Sequence, residues 1–425
     1  MQLNQLVLLL SLPATILSFV ILPEADVFAS PPQSPDSSII CPKRIDEAVG
    51  DGVTGPSTSA GSRPCICHEA ALGEIEVLAE VAAEHIPFAD LVEEVVEGPT
   101  VQVTRLAPKH ANAAQPDGED ADDQPLPVVI WHGLGDSADA AGLQEIAELV
   151  DMVHPGTYTY IISVTGTRGS ADRQASFFGN VSQQIETVCH LLAEDNILRT
   201  APAIDAIGFS QGGQFLRGYV QRCGSWAPKI RSLLTFGSQH NGIAEFQKCS
   251  GTSDWLCQGA NALLKSSTVW SDFIQSRLVP AQYYRDLNEY DKYLEHSNFL
   301  ADINNERKVK NATYAENLAK LDKFVMIVFG DDRTVIPKDS GWFDEVNMTS
   351  NSVTKLRDRP IYKEDWIGLK KLDEKGALDF LTLAGEHMQL VDKDLMKLFK
   401  SYFGPAGKKF GGTAPLAPDS GKLDL

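Results

Sequence analysis

Basic residues are scarce in this chain. Its 425 residues carry 37 lysines and arginines against 57 aspartates and glutamates, a formal net charge of -20, and no basic patch stands out. Without such a patch there is little to neutralise phosphates, which argues against a nucleic-acid partner. Long apolar runs are also missing after the first 30 residues, so nothing later in the sequence reads as a membrane span. The one apolar stretch, LVLLLSLPATILSFVIL (Leu6 to Leu22), is short, contains Pro13 and is followed by VFAS, with Ala29 near a cleavage-like position. It reads as a signal peptide over residues 1–30, although the basic residues that usually open such a segment are absent. Cysteine is sparse too, with Cys41, Cys65, Cys67, Cys189, Cys223, Cys249 and Cys257. The last four suffice for two disulfides, while the first three leave an odd thiol. Cys65, Cys67 and His68 bring metal-ligand types together, but their spacing is short and no second cluster follows, so no metal site is read there.

What is present is unevenly distributed. From Cys41 to Gln124 there are 17 acidic and 5 basic residues, a net of -12, which leaves only -8 for the rest of the chain. Residues 31–124 include PPQSPDSS, GPSTSAGSRP and AAQPDGEDADDQ, stretches too polar to offset the entropy of ordering. They read as a flexible acidic region, with one or two amphipathic helices expected over residues 69–98. From Pro125 the character changes. VVIW is an apolar strand candidate; a helix is expected from Ala141 to Val153; TYTYIISV is a second strand; Asn180 to Asn196 has helical spacing. AIDAIGF, IRSLLTFGS and KFVMIVFG supply further strands, and LMKLFKSYF a closing helix. Strands alternating with helices predict an α/β fold with a mostly parallel sheet flanked by helices. The alternation breaks between about 241 and 318, which reads as a helical insertion rich in aromatics. The main domain is expected over 125–404, with a flexible tail over 405–425.

The residues that point to chemistry sit at strand ends. Gly208-Phe209-Ser210-Gln211-Gly212 matches G-x-S-x-G between a buried strand and a helix, the context in which a tight turn holds a serine hydroxyl clear of the sheet. A serine needs a base, and of nine histidines His387 lies after the last strand-like run, in AGEHMQL. His240, in GSQHNG at another strand end, is the runner-up and is expected to line a pocket instead. The acid should follow the strand ending at Gly330, where Asp331, Asp332 and Asp339 are candidates; spacing leaves the first two nearly tied. Two aimed amides complete an oxyanion site: that of Gln211, and that of Leu134 in the WHGLGD loop.

Taken together, PLPVVIWHGLGD, GFSQGGQFLR with YVQRC, GSQHNG, LVPAQYYRD, HSNFLADINNER, DSGWF and GEHMQL resemble the palmitoyl-protein thioesterase family, of α/β-hydrolase fold. The resemblance spans about Pro125 to Gly404, and HSNFLADINNER belongs to no general hydrolase motif. It implies Ser210 as nucleophile, His387 as base and Asp332 as acid, with oxyanion amides at Leu134 and Gln211. It also implies disulfides Cys189–Cys223 and Cys249–Cys257. Relatives often carry adjacent cysteines after the first-loop GD; Ser137 and Ala138 stand here instead. The implied reaction removes long-chain acyl groups from protein cysteine thioesters, without cofactor or metal. Trp255, Trp270 and Phe273 could line the acyl groove or belong to the core. An oxygen-ester hydrolase or lipase with the same triad, and a non-catalytic lipid binder on this scaffold, are the alternatives. Sequons at Asn180, Asn311 and Asn347 fit a glycoprotein of the secretory route. A lysosomal, vacuolar or secreted monomer acting on S-acylated proteins or peptides is expected, with no stable membrane span once the signal is removed.

Overall fold

The computed structural model describes residues 124–166, 169–245 and 266–410, the backbone of Thr104–Leu106, and two helical positions at 262 and 264. The residues that alternate in the sequence build one sheet. In chain order its strands are β1 (Thr104–Leu106), β2 (Val128–Trp131), β3 (Thr159–Ile161), β4 (Ile204–Phe209), β5 (Ile230–Phe236), β6 (Lys323–Phe329) and β9 (Leu378–Leu383). They lie side by side in the order β1-β3-β2-β4-β5-β6-β9. All neighbours are parallel except β1, which pairs antiparallel with β3 in the register Thr104↔Ile161. β1 falls inside the acidic stretch 31–124, so the sheet extends N-terminal to Pro125, a strand that composition alone did not mark. A separate hairpin pairs β7 (Glu345–Asn347) with β8 (Ser352–Thr354).

Every residue of β2, β4, β5 and β6 is buried, because both sheet faces are covered. Alternate side chains feed opposite layers. Val128, Ile130, Ile207 and Phe209 pack with α1 (Ala141–Val153) and with Leu395, Leu398 and Phe399 of α11 (Asp392–Tyr402). Val129, Trp131, Ala206 and Leu233 face the other way, toward α3 (Val181–Glu194) and α4 (Gln211–Cys223). α3 starts at Asn180, whose side chain accepts from the Gln183 amide and caps the helix. A disulfide, Cys189–Cys223, joins α3 to the end of α4. Cys249 and Cys257 lie outside the described residues, as do the signal-like segment and the expected helices at 69–98.

The insertion is helical as its pattern suggested. It contains α5 (Asp272–Arg277), α6 (Tyr290–His296), α7 (Leu300–Ile303) and α8 (Ala312–Leu318), linked by short 3₁₀ turns. Two shorter helices, α9 (Pro360–Lys363) and α10 (Leu369–Glu374), lie between the hairpin and β9. α8 packs on α4, so α4 is enclosed by sheet on one side and insertion on the other. That is why nearly its whole circumference is buried, Arg217 included.

A buried polar network locks the insertion in place. Arg217 donates to Gln221 Oε1, the Ile303 carbonyl, the His240 carbonyl and Asn304 Oδ1. Arg285 bonds Glu306 at 3.0 Å and Glu345 at 2.6 Å. Tyr290 and Tyr293 also donate to Glu306. The LVPAQYYRD and HSNFLADINNER stretches meet here, through Arg285 and Glu306. Among the described residues, no helix is long and apolar enough to cross a membrane.

Candidate active site

The parallel strands end on one edge of the sheet, and three of those ends supply the site. β4 runs straight into Ser210, and α4 begins at the next residue. Ser210 adopts φ 50 and ψ -123, a conformation that L-residues rarely hold without support. The support is backbone packing. A Cβ on Gly208 would lie 2.2 Å from the Gly213 Cα, and one on Gly212 would lie 2.3 Å from the Trp131 carbonyl oxygen. Only glycines let strand, helix and the β2 loop approach this closely around the turn. The Ser210 amide bonds the Phe236 carbonyl at the end of β5, which ties the turn to the sheet.

His387 follows β9 and reaches across to this serine. Its Nε2 lies 3.1 Å from Ser210 Oγ, and its Nδ1 lies 2.7 Å from Asp332 Oδ2. A carboxylate accepts only, so the Nδ1 proton points at Asp332 and Nε2 is left to accept from the serine hydroxyl. Asp332 follows β6, and its other oxygen accepts from the Thr334 and Val335 amides. Its side chain is 1% exposed and that of His387 13%, so the contact between them is shielded while the imidazole edge stays reachable. Asp331 is exposed, its amide engaged by the Gly385 carbonyl. Of the two aspartates that spacing left tied, Asp332 is the one in contact with His387.

The loop after β2 turns against the nucleophile. A Cβ on Gly133 would sit 3.2 Å from Ser210 Cβ. The Asp136 amide bonds the Gly133 carbonyl, closing a turn with Leu134 and Gly135 at its centre. Gly135 has φ 77, which the third position of a type II turn requires. Its amide donates to Ser176 Oγ at 2.8 Å, so that donor is occupied, whereas the turn itself makes no use of the Leu134 amide. The Gln211 amide heads α4, at the positive end of its dipole. Serine, imidazole, carboxylate and two candidate donors therefore gather at one sheet edge.

Sequence reasoning did not find the shell beneath them. α2 (Ser170–Ala175) supplies the buried Asp172, whose Oδ2 accepts from the Ala138 amide and lies 3.3 Å from His132 Nε2. His132 Nδ1 is 3.0 Å from the Gly133 carbonyl. Burial alone would lower the His132 pKa, but the Asp172 contact and charge, the Gly133 carbonyl and Asp136 outweigh it and raise the value. Burial would raise Asp172, yet His132, the Ala138 amide and the Ser163 hydroxyl hold it below the usual carboxylate range. Both ring nitrogens lie near oxygens, although the contact of Nε2 with Asp172 is not aligned as a hydrogen bond.

Of the expected pocket residues, His240, Trp270 and Phe273 are described. His240 is wholly buried: its ring stacks on Phe343, its Nδ1 accepts from Arg217 Nε, and its Nε2 meets Thr235 Oγ1. Burial and the Arg217 charge hold its pKa well below the ordinary histidine value, so it is a neutral group inside the core. Trp270 is core, packed on Tyr284 and Tyr293 with its Nε1 donating to Glu289. Phe273 is 43% exposed under the Arg277 guanidinium, and Trp255 lies outside the described residues. Asn311 and Asn347 are exposed, and Asn180 is half-buried at its helix cap.

Residues 127–387 match the family described as Palmitoyl protein thioesterase. The chain is 35% identical over 281 residues to Palmitoyl-protein thioesterase 1 of Caenorhabditis elegans, covering 65% of this chain and 92% of that protein. It is 37% identical over 285 residues to Palmitoyl-protein thioesterase-dolichyl pyrophosphate phosphatase fusion 1 of Schizosaccharomyces pombe, covering 67% of this chain and 44% of the fusion. A Drosophila melanogaster protein named Lysosomal thioesterase PPT2 homolog is 29% identical over 259 residues, covering 59% of this chain and 82% of that protein.

Proposed function

Because this chain belongs to the palmitoyl protein thioesterase family, and so to the thioester hydrolases, we propose that it removes long-chain fatty acyl groups from cysteine thioesters through an acyl-enzyme on Ser210. The observation that carries the reading is the relay from Asp332 to His387 to Ser210, at 2.7 and 3.1 Å. Ser210 Oγ attacks the thioester carbonyl while His387 Nε2 takes its proton. Asp332 holds the ring in the required tautomer and stabilises its charged form. The carbonyl oxygen gains negative charge and is met by the Leu134 and Gln211 amides. The carbon–sulfur bond then breaks, and the departing thiolate takes the proton from His387. Water attacks the acyl-serine next, giving its proton to His387, which returns it to Ser210 as the fatty acid leaves. A thiol departs readily, so the acid step is less demanding than for an amide.

The substrates are S-acylated proteins or peptides, met by the domain over 125–404. A lysosomal or vacuolar location, or secretion, reached through the secretory route, is supported by the signal-like start and by the exposed sequons at Asn311 and Asn347. The Cys189–Cys223 disulfide fits an oxidising compartment. Mass spectrometry of enzyme quenched during turnover of a palmitoyl thioester tests the chemistry. We expect the acyl mass on the peptide holding Ser210 and no adduct with Ser210→Ala; an adduct elsewhere overturns the assignment. Turnover of a matched oxygen ester should be slower than that of the thioester, and the reverse order would make the chain an esterase.

A further inference from the structure

We propose that Asp172 and Ser176 are positioning residues that set the two oxyanion donors. The inference deepens the reading of Ser210 as nucleophile and rests on it. The two residues are one helical turn apart, Asp172 on α2 and Ser176 just past its end, so both face the same neighbour. That neighbour is the loop carrying Leu134.

Their contacts bracket the donor. Asp172 holds the loop at one end near His132, 3.3 Å away, and at the other through the Ala138 amide at 2.8 Å. Its second oxygen accepts from Ser163 Oγ and the Val164 amide, which anchors the carboxylate to the end of β3. Ser176 Oγ accepts from the Gly135 amide. Its own proton goes to the Arg173 carbonyl at 2.6 Å, so the lone pairs are directed at Gly135. The Gly135 amide is therefore taken, leaving Leu134 to supply the turn's donor.

Ser176 also reaches the other donor. Its carbonyl accepts from Gln211 Nε2 at 3.0 Å, and Gln211 Oε1 accepts from Tyr283 at 3.1 Å. One residue thus touches the chain on both sides of the developing charge: the hydroxyl fixes the Leu134 turn, and the carbonyl fixes the side chain of Gln211. All three side chains are buried, Asp172 at 1%, Ser176 at 5% and Gln211 at 2% exposed. In such surroundings polar contacts are strong and a lost partner is not replaced by water. Donors held in advance need no reorganisation when the oxyanion forms.

The test uses full-length enzyme carrying Ser176→Ala, Asp172→Asn or Ser176→Thr, with active sites counted by a serine-directed fluorophosphonate. Removal of an oxyanion donor outright costs about a hundredfold to a thousandfold in kcat, so misplacing one should cost about tenfold to a hundredfold. We expect Ser176→Ala and Asp172→Asn to lower kcat on palmitoyl thioester by that amount per titrated site, with KM within about twofold. Affinity for an acyl trifluoromethyl ketone, whose serine adduct carries the oxyanion, should fall in proportion. Ser176→Thr, which retains the hydroxyl, should recover most of kcat. If Ser176→Ala does not fold, Asp172→Asn carries the same comparison. Unchanged kcat per titrated site, or a rise in KM alone, overturns the proposal. Wild-type turnover by Ser210→Ala would instead overturn the reading beneath it.

Discussion

Replacing Gly212 by alanine sets two forces against each other. Gly212 is the second residue of α4, and helix propensity alone favours alanine there by up to about 1 kcal/mol. Sterics oppose it. The new methyl would lie 2.3 Å from the Trp131 carbonyl oxygen and 2.5 Å from that of His132. Real Cβ contacts stay beyond 3.0 Å, so the gap must open by at least 0.7 Å. Both obstacles are main chain at the end of β2, and no side chain can swing aside. The displacement falls between the two proposed oxyanion donors, because Gly212 follows Gln211 and His132 opens the Leu134 loop. A misplacement near 1 Å costs about a hundredfold in rate, or about 3 kcal/mol of barrier, while overpacking costs about 1–3 kcal/mol in stability. We expect Gly212→Ala to lose stability in urea unfolding and about a hundredfold in kcat on palmitoyl thioester, normalised to folded protein. A variant that is more stable and fully active would refute the packing argument, since propensity would then outweigh contact.

Other perturbations read other parts of the structure. Asp332→Asn retains an oxygen for the Thr334 and Val335 amides but turns an uncharged N–H donor toward His387 Nδ1, where the carboxylate accepted, so kcat should drop by about 10⁴-fold with the fold intact; Asp331→Asn, at an exposed position, should stay within about twofold. Removing the Cys189–Cys223 bridge, which spans 34 residues, should cost about 3–4 kcal/mol in denaturant unfolding, and equal stability of the double serine variant would contradict this. Glu306 is held down to about 2: burial would raise it, but the Arg285 and Arg359 charges and the Asn304 and Arg285 hydrogen bonds prevail. A carboxylate depressed in the fold contributes its full stabilisation above the free value of 4.5 and loses it as pH falls through about 2. That interval corresponds to about 3 kcal/mol. Glu306→Gln should therefore be less stable near neutrality and show a shallower loss of stability between about pH 5 and 2; an unchanged acid slope would remove Glu306 from the account.

Much of the fold was legible because its signals are local. The buried strands are short apolar runs, and the helix over Ala141–Val153 has the range its periodicity predicts. The turn at Ser210 is marked by the glycines that its backbone requires, and the break in alternation at about 241 marks the helical insertion. β1 was not legible, since three residues in an acidic stretch carry no period, and their place in the sheet comes from pairing with β3.

The site was legible to the extent that its residues sit at strand ends. Ser210 and His387 could be named from chain order, because the sheet delivers those ends to one edge. Between Asp331 and Asp332 spacing was silent, and the direction in which the chain leaves β6 decides which carboxylate faces His387. His240 shares the strand-end position but not the surroundings: α4 and the insertion close over it, and burial beside Arg217 makes it a neutral core group. Asp172 and Ser176 gave no sign at all in a short polar stretch. Periodicity and turn chemistry act between near neighbours along the chain. Which polar groups lose water together, and so share protons and charge, depends on packing between segments far apart in sequence.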